Sequence, residues 1–209
     1  MARIERRTAG GEMALYGSEM TLLEARTKYF ALNGFGVDGG YEDTWVRVEY
    51  GWMRFYFPNT RARARAVRYH DLHHILTGYD TTMPGETEIS AWEIATRCTA
   101  NYAAWILNLL GFGFGLVINR RGVYRAFLRG RYSSNLYSYP FDDQLLSSRV
   151  GEMRCLLGLD KQSIRAEAAD QRAFAWWASV SFACLLAGYA LLLVPPVLLL
   201  WAVLRWTGV

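Results

Sequence analysis

Apolar positions recur at helical spacing over most of this chain. Leu22, Ala25, Tyr29 and Leu32 share one face of the run from Thr21 to Leu32, and Asn33-Gly34 ends it. The pattern then changes period. Thr44 to Tyr50 (TWVRVEY) alternates apolar and polar residues, Gly51 can turn the chain, and Trp52 to Phe57 (WMRFYF) can pair back. These two runs predict a small hairpin. Helical spacing resumes from about Thr60 to Thr77 and stops at Gly78. A second helical run is expected from Pro84 to Leu110, with Ile89, Trp92, Ala95, Ala103, Ile106 and Leu110 available for burial. The glycines of GFGFG (111–115) are expected to interrupt it. Further helices are expected over Leu116–Arg129 and Asp142–Leu159, joined by a polar, tyrosine-rich connector at 130–143.

The last segment has no period at all. Residues 173–204 carry no charge, and Arg205 is the one charged residue beyond position 172. A membrane span needs about 20 apolar residues and two spans about 40. The tail is therefore expected to be a membrane anchor, either a single span kinked at Pro195-Pro196 or a re-entrant hairpin. Trp176, Trp177, Trp201 and Trp206 sit near its ends, where interfacial aromatic residues collect. Lys161, Arg165 and Arg172 precede it and Arg205 alone follows, so the positive-inside rule leaves the main domain in the cytoplasm. The expected organisation is a flexible N-terminus over 1–20, a helical domain over 21–172 and a hydrophobic anchor over 173–209. The expected fold class is mainly α, with a small N-terminal β-hairpin and a C-terminal membrane helix.

Composition narrows the function. The front part has the charge content of an ordinary globular domain, so the near-zero mean hydropathy of +0.02 is an average of two unlike parts. Three scattered cysteines, Cys98, Cys155 and Cys184, form no CxxC pair and no disulfide framework, which fits a reducing compartment. The isoelectric point near 9.0 comes without a recognisable nucleic-acid-binding module. The loop GFGVDGG (34–40) contains GxGxxG, but a helix precedes it and a strand follows, the reverse of a dinucleotide fingerprint.

One segment carries chemistry: YHDLHHILTGYDTTMPGE, residues 69–86. It holds all three histidines of the chain. On a helix His70 and His74 lie one turn apart on one face, with Asp71 three residues before His74. Glu86 opens the next helix, after a loop long enough to fold it back. Two imidazoles and two carboxylates form a mixed nitrogen–oxygen set for zinc, or alternatively iron or manganese, and the absence of thiolates excludes a structural zinc finger. His73 points off the His70–His74 line, and supporting donor, proton carrier and surface residue are all open to it. Arg61, Arg63, Arg65 and Arg68 crowd the start of the same helix, against its dipole, which favours an anionic partner. Arg63 lies nearest the histidine face; it and Arg68 are the candidates for a substrate contact. A phosphohydrolase of the His-Asp type is disfavoured, because that class uses a further histidine.

These residues resemble a known motif. His70, Asp71, His74 and, after eleven residues, Glu86 match the His-Asp-x-x-His-(eleven residues)-Glu pattern of the coenzyme Q biosynthesis protein four family. Gly78, Gly85-Glu86 and the stretch 126–160 are also similar, so the resemblance covers roughly residues 58–160. It implies a mainly helical, membrane-associated protein with a divalent metal at His70, Asp71, His74 and Glu86. It also implies action on a polyprenylated benzoate precursor of ubiquinone, by oxidative decarboxylation and hydroxylation at ring carbon one. The alternative it implies is a non-catalytic lipid- or quinone-binding scaffold that organises the other quinone-biosynthesis proteins, with itself or those proteins as partners. Residues 34–57 and the C-terminal tail lie outside the resemblance.

Overall fold

The computed structural model describes residues 15–50, 53–160 and 165–207. The N-terminal residues 1–14, Gly51, Trp52 and Lys161, on which parts of the flexible-terminus, hairpin-turn and orientation expectations rest, lie outside them.

Helix α1 (Leu22–Asn33) starts at a capping box, in which Thr21 and Glu24 satisfy each other's backbone amides, and ends at Gly34 in the left-handed region. Strands β1 (Trp45–Tyr50) and β2 (Met53–Pro58) form the expected antiparallel hairpin, with Trp45 opposite Pro58 and Tyr50 opposite Met53. Helix α2 (Arg61–Thr77) carries the histidines; Thr60 caps its start and Gly78 its end. Helix α3 (Met83–Thr96) begins at the Thr82 cap with Pro84 in the first turn, as the sequence predicts.

The long run beyond it departs from expectation in two ways. It breaks at 97–101, where Arg97 and Thr99 take positive φ, and resumes as α4 (Tyr102–Ile118). Tertiary contacts hold this corner: Cys98 is fully buried, and Asn135 donates to the Arg97 carbonyl and the Thr96 hydroxyl. The glycines of 111–115 then lie inside α4 instead of ending it. Their reason is close packing, since a Cβ at Gly111 would meet Ser90 Oγ at 2.3 Å and one at Gly113 the Ser181 carbonyl oxygen at 2.5 Å. At Gly115 it would meet Val123 Cγ2 at 2.5 Å. Three helices thus approach α4 closely enough to exclude any side chain at these points, which offsets the helix-propensity cost of glycine.

Helix α5 (Arg120–Arg131) lies against α3 and leads into the tyrosine-rich connector. The expected last helix of the domain is split into α6 (Asp143–Ser147) and α7 (Val150–Leu156). Here the Ser148 carbonyl accepts the Leu22 amide and Val150 donates to the Met20 carbonyl, so the segment before α1 takes the backbone groups a continuous helix would use.

Helix α8 (Ala168–Thr207) is continuous through Pro195 and Pro196, so the re-entrant hairpin is not formed. It is the one helix among the described residues long and apolar enough to cross a membrane. It starts five residues before the uncharged stretch, and Asp170 joins it to the domain by accepting from Arg131 Nε, Tyr132 Oη and the Glu167 amide. Its first half packs on α4 and α5: Phe174 meets Phe112, Tyr124 and Phe127, and Trp177 stacks on Trp105 with ring centroids 5.3 Å apart. The second half is exposed from Leu191 onward wherever its side chains are described.

Candidate metal centre

Two arginines fix the helix that bears the histidines. Buried Arg154 donates to the carbonyls of Leu76, Ile75 and Tyr16, and Arg129 donates to the carbonyl of Thr77 at 2.7 Å. Both guanidinium groups complement the negative end of α2 and satisfy carbonyls that no helical amide reaches. Beyond Gly78 the loop turns back through the Asx-type contacts of Asp80 with Thr82. Gly85 packs so closely on Asp80 that a Cβ would lie 2.2 Å from its carbonyl oxygen. This closeness brings the first turn of α3, and Glu86 with it, against α2.

The result is a cluster of three donors. His74 Nε2 lies 3.2 Å from His70 Nε2, Glu86 Oε2 3.2 Å from His70 Nε2, and Glu86 Oε1 3.4 Å from His74 Nε2. The outer nitrogens define the tautomers. His74 Nδ1 donates to the Tyr79 carbonyl at 2.8 Å, and His70 Nδ1 to Glu93 Oε1 at 2.9 Å. Both Nε2 atoms therefore face the cluster. Separations of 3.2–3.4 Å are those left between ligands that each sit about 2.1 Å from one ion, so the three side chains fit a divalent metal. Two histidines and one carboxylate, with further positions open, is a donor set shared by catalytic zinc and non-haem iron.

Asp71, the fourth expected ligand, is not in this cluster. Its carboxylate accepts from Tyr41 Oη at 2.7 Å, and burial raises its pKa despite that hydrogen bond. It lines the same cavity, one helix position aside. The other expected residues separate cleanly. His73 is completely buried: its Nδ1 donates to Glu93 and its Nε2 accepts the Leu136 amide, so it is neither a surface residue nor open to solvent. It ties the connector to the back of α2, and burial lowers its pKa. Arg63 lines the histidine cavity, with its guanidinium over the Phe57 ring and donating to Asn59. Arg68 faces the opposite side of α2, paired with Glu42 at 2.7 Å in a cleft of about 670 Å³ that Arg61 and Arg65 also line.

Sequence reasoning missed Glu93. It is fully buried and accepts from His70, His73, Asn108 and Tyr137. Burial opposes its ionisation, but His70 and His73 outweigh burial and hold its pKa well below the usual carboxylate range. Glu86 is held low in the same way by His74 and His70. His70, between the two, is also disfavoured as a cation by burial, yet both carboxylates raise its pKa well above its ordinary value. Both carboxylates thus favour a positive charge on His70. The available signal was spacing, since Glu93 lies seven residues, two turns, after Glu86 and so shares its side of α3.

The cavity over the cluster holds about 370 Å³. Its polar floor is His70, Asp71, His74, Glu86 and Arg63, and its walls include Phe35, Phe57, Met83, Leu107 and Phe114. Comparison with protein-family models, with curated proteins and with solved structures returns no match.

Proposed function

We propose that this protein is a membrane-anchored metalloprotein that acts on a polyprenylated benzoate or related quinone precursor. The observation that carries this reading is the convergence of two imidazole Nε2 atoms and one carboxylate at the floor of a cavity whose walls include Phe35, Phe57, Met83, Leu107 and Phe114. His70, His74 and Glu86 hold the divalent metal, zinc or alternatively iron or manganese. When bound, such a metal supplies a Lewis acid for a phenolate or carboxylate oxygen, and iron would add redox chemistry. Glu93 and the Tyr79 carbonyl hold the two imidazoles in the metal-binding tautomer. Arg63 offers a cation to the substrate carboxylate, and Phe35, Met83, Leu107 and Phe114 exclude water around the ring and the start of the tail. Helix α8 holds the cavity beside the bilayer in which such a substrate dissolves, with the domain on the cytoplasmic side. The reaction taken from the motif resemblance is oxidative decarboxylation and hydroxylation at ring carbon one.

Elemental analysis of the purified full chain tests the metal. We expect one divalent ion per chain, lost in His70→Ala and in Glu86→Ala while far-ultraviolet circular dichroism stays unchanged. Retention of the ion in both variants refutes the assignment. Mass spectrometry of co-purified lipids tests the substrate class; a prenylated aromatic acid is expected.

A further inference from the structure

Helix α4 has features that a helix of a water-soluble domain lacks. No charged residue occurs from Cys98 to Asn119, whereas exposed arginines stand at both ends, Arg97 before it and Arg120 and Arg121 after it. One face is spent on packing: Gly113 abuts Ser181, Leu110 lies against Gly188, and Phe112 is buried among α5 and α8. Away from buried Ala104, Asn108 and Phe112 the helix is apolar and open toward its two ends, with Ile106 55%, Leu107 43%, Val117 66% and Ile118 46% exposed. With half-buried Leu110 and Phe114 between them, these residues recur every three to four positions over one arc of the helix, the pattern of an amphipathic helix lying on an apolar medium.

The position of α4 on α8 indicates what that medium is. Packing between them ends at Gly188, and the helix from Tyr189 to Trp206 extends about 27 Å, close to the ~30 Å of a bilayer's hydrocarbon core. A bilayer crossed by that length of α8 therefore begins at the level of α4. Leu107 belongs both to the open stripe and to the wall of the metal cavity, beside half-exposed Phe35 and Met83. A cavity of about 370 Å³ admits an aromatic ring, but a polyprenyl tail must leave through this rim.

We propose that α4 is a second membrane element, lying in the bilayer surface with Ile106, Leu107, Val117 and Ile118 in the acyl region and Arg97, Arg120 and Arg121 at the phosphates. The metal cavity then opens sideways into the lipid, and its ligand enters without crossing water. This rests on the reading of α8 as a membrane anchor. It differs from a simple tether, which would leave the cavity facing solvent.

Depth-dependent fluorescence quenching tests it in the full chain reconstituted into phosphatidylcholine vesicles containing phosphatidylglycerol. Cys155 and Cys184 are replaced by serine, and buried Cys98 is kept. Single Ile106→Cys, Val117→Cys, Leu192→Cys and Glu152→Cys variants are labelled with an environment-sensitive fluorophore. We expect nitroxide-labelled lipid to quench the probes at 106, 117 and 192 and to spare the one at 152. Quenching at 192 with none at 106 and 117 leaves the anchor intact and overturns the proposal. No quenching at 192 removes the anchor and the proposal with it. Probes at 106 that self-quench until diluted with unlabelled chain, and that lipid does not reach, mean that a second copy covers the face; that also overturns the proposal.

Discussion

Replacing Glu93 by glutamine tests the reasoning about the metal centre most directly, because it changes one oxygen to an amide and leaves the shape alone. Four groups donate to this carboxylate: His70 and His73 to Oε1, and Asn108 and Tyr137 to Oε2. A glutamine can keep its carbonyl toward the two imidazoles only by turning its amide toward Asn108 and Tyr137. The tyrosine hydroxyl can rotate to accept, and Asn108 must flip. Each of the four bonds then falls from charge-assisted, about 1.5–3 kcal/mol, to neutral, about 0.5–1.5 kcal/mol. The neutral amide is cheaper to bury, which offsets part of the loss. A destabilisation of about 2–4 kcal/mol is expected, with divalent-metal affinity reduced about 10–100-fold because His70 loses its orienting anion. Chemical unfolding of the metal-free chain measures the first quantity, and competition with a chelating dye the second. Unchanged metal affinity in a folded Glu93→Gln protein would refute the claim that Glu93 positions His70.

Three other outcomes follow from the packing. Arg154→Met removes two carbonyl contacts at the end of α2 and one to Tyr16, and should cost about 2–4 kcal/mol in thermal unfolding, with Arg154→Lys restoring only part of it. Gly113→Val forces α4 off the Ser181 backbone and should lower stability by about 1–3 kcal/mol, whereas Gly17→Val, with open space around it, should not. Tyr132, the Glu167 amide and Arg131 hold the Asp170 pKa below its ordinary value. Their contribution is thus present at neutral pH and is lost as the pH falls below about 4, the unfolded value. The difference in melting temperature between wild type and Asp170→Asn should therefore shrink between pH 6 and pH 3; a constant difference would refute the linkage.

Local rules in the sequence located the elements whose ends carry their own signals. Thr60 and Gly78 bound α2 and Gly34 ends α1 where the sequence places them, and alternation marked the hairpin. Failures occurred where distant residues decide. Nothing local to Arg97–Asn101 reveals that Asn135 and a buried Cys98 will turn the chain there. The glycines of α4 are helix breakers by propensity and contact surfaces by packing, a distinction that depends on Ser90, Val123 and Ser181. At the site, helical spacing sufficed to pair His70 with His74, and the loop length to return Glu86. It could not foresee that Asp71 bonds Tyr41, a partner thirty residues away and beyond the reach of any periodicity. Nor could it identify the environment of His73, whose partner Leu136 lies in an irregular connector.

The hydrogen bonds converging on Glu93 have a consequence for the order of assembly. They draw on α2, α3, α4 and, through Tyr137, the connector, so no fragment ending before that tyrosine contains the full set. Synthesis proceeds from the N-terminus, and Tyr137 precedes Ala168, where α8 begins. The hydrogen-bonded cluster around Glu93 can therefore organise before the hydrophobic helix has been made. Ordering of the histidine cluster and emergence of the long apolar helix are in this way separable events in the life of one chain.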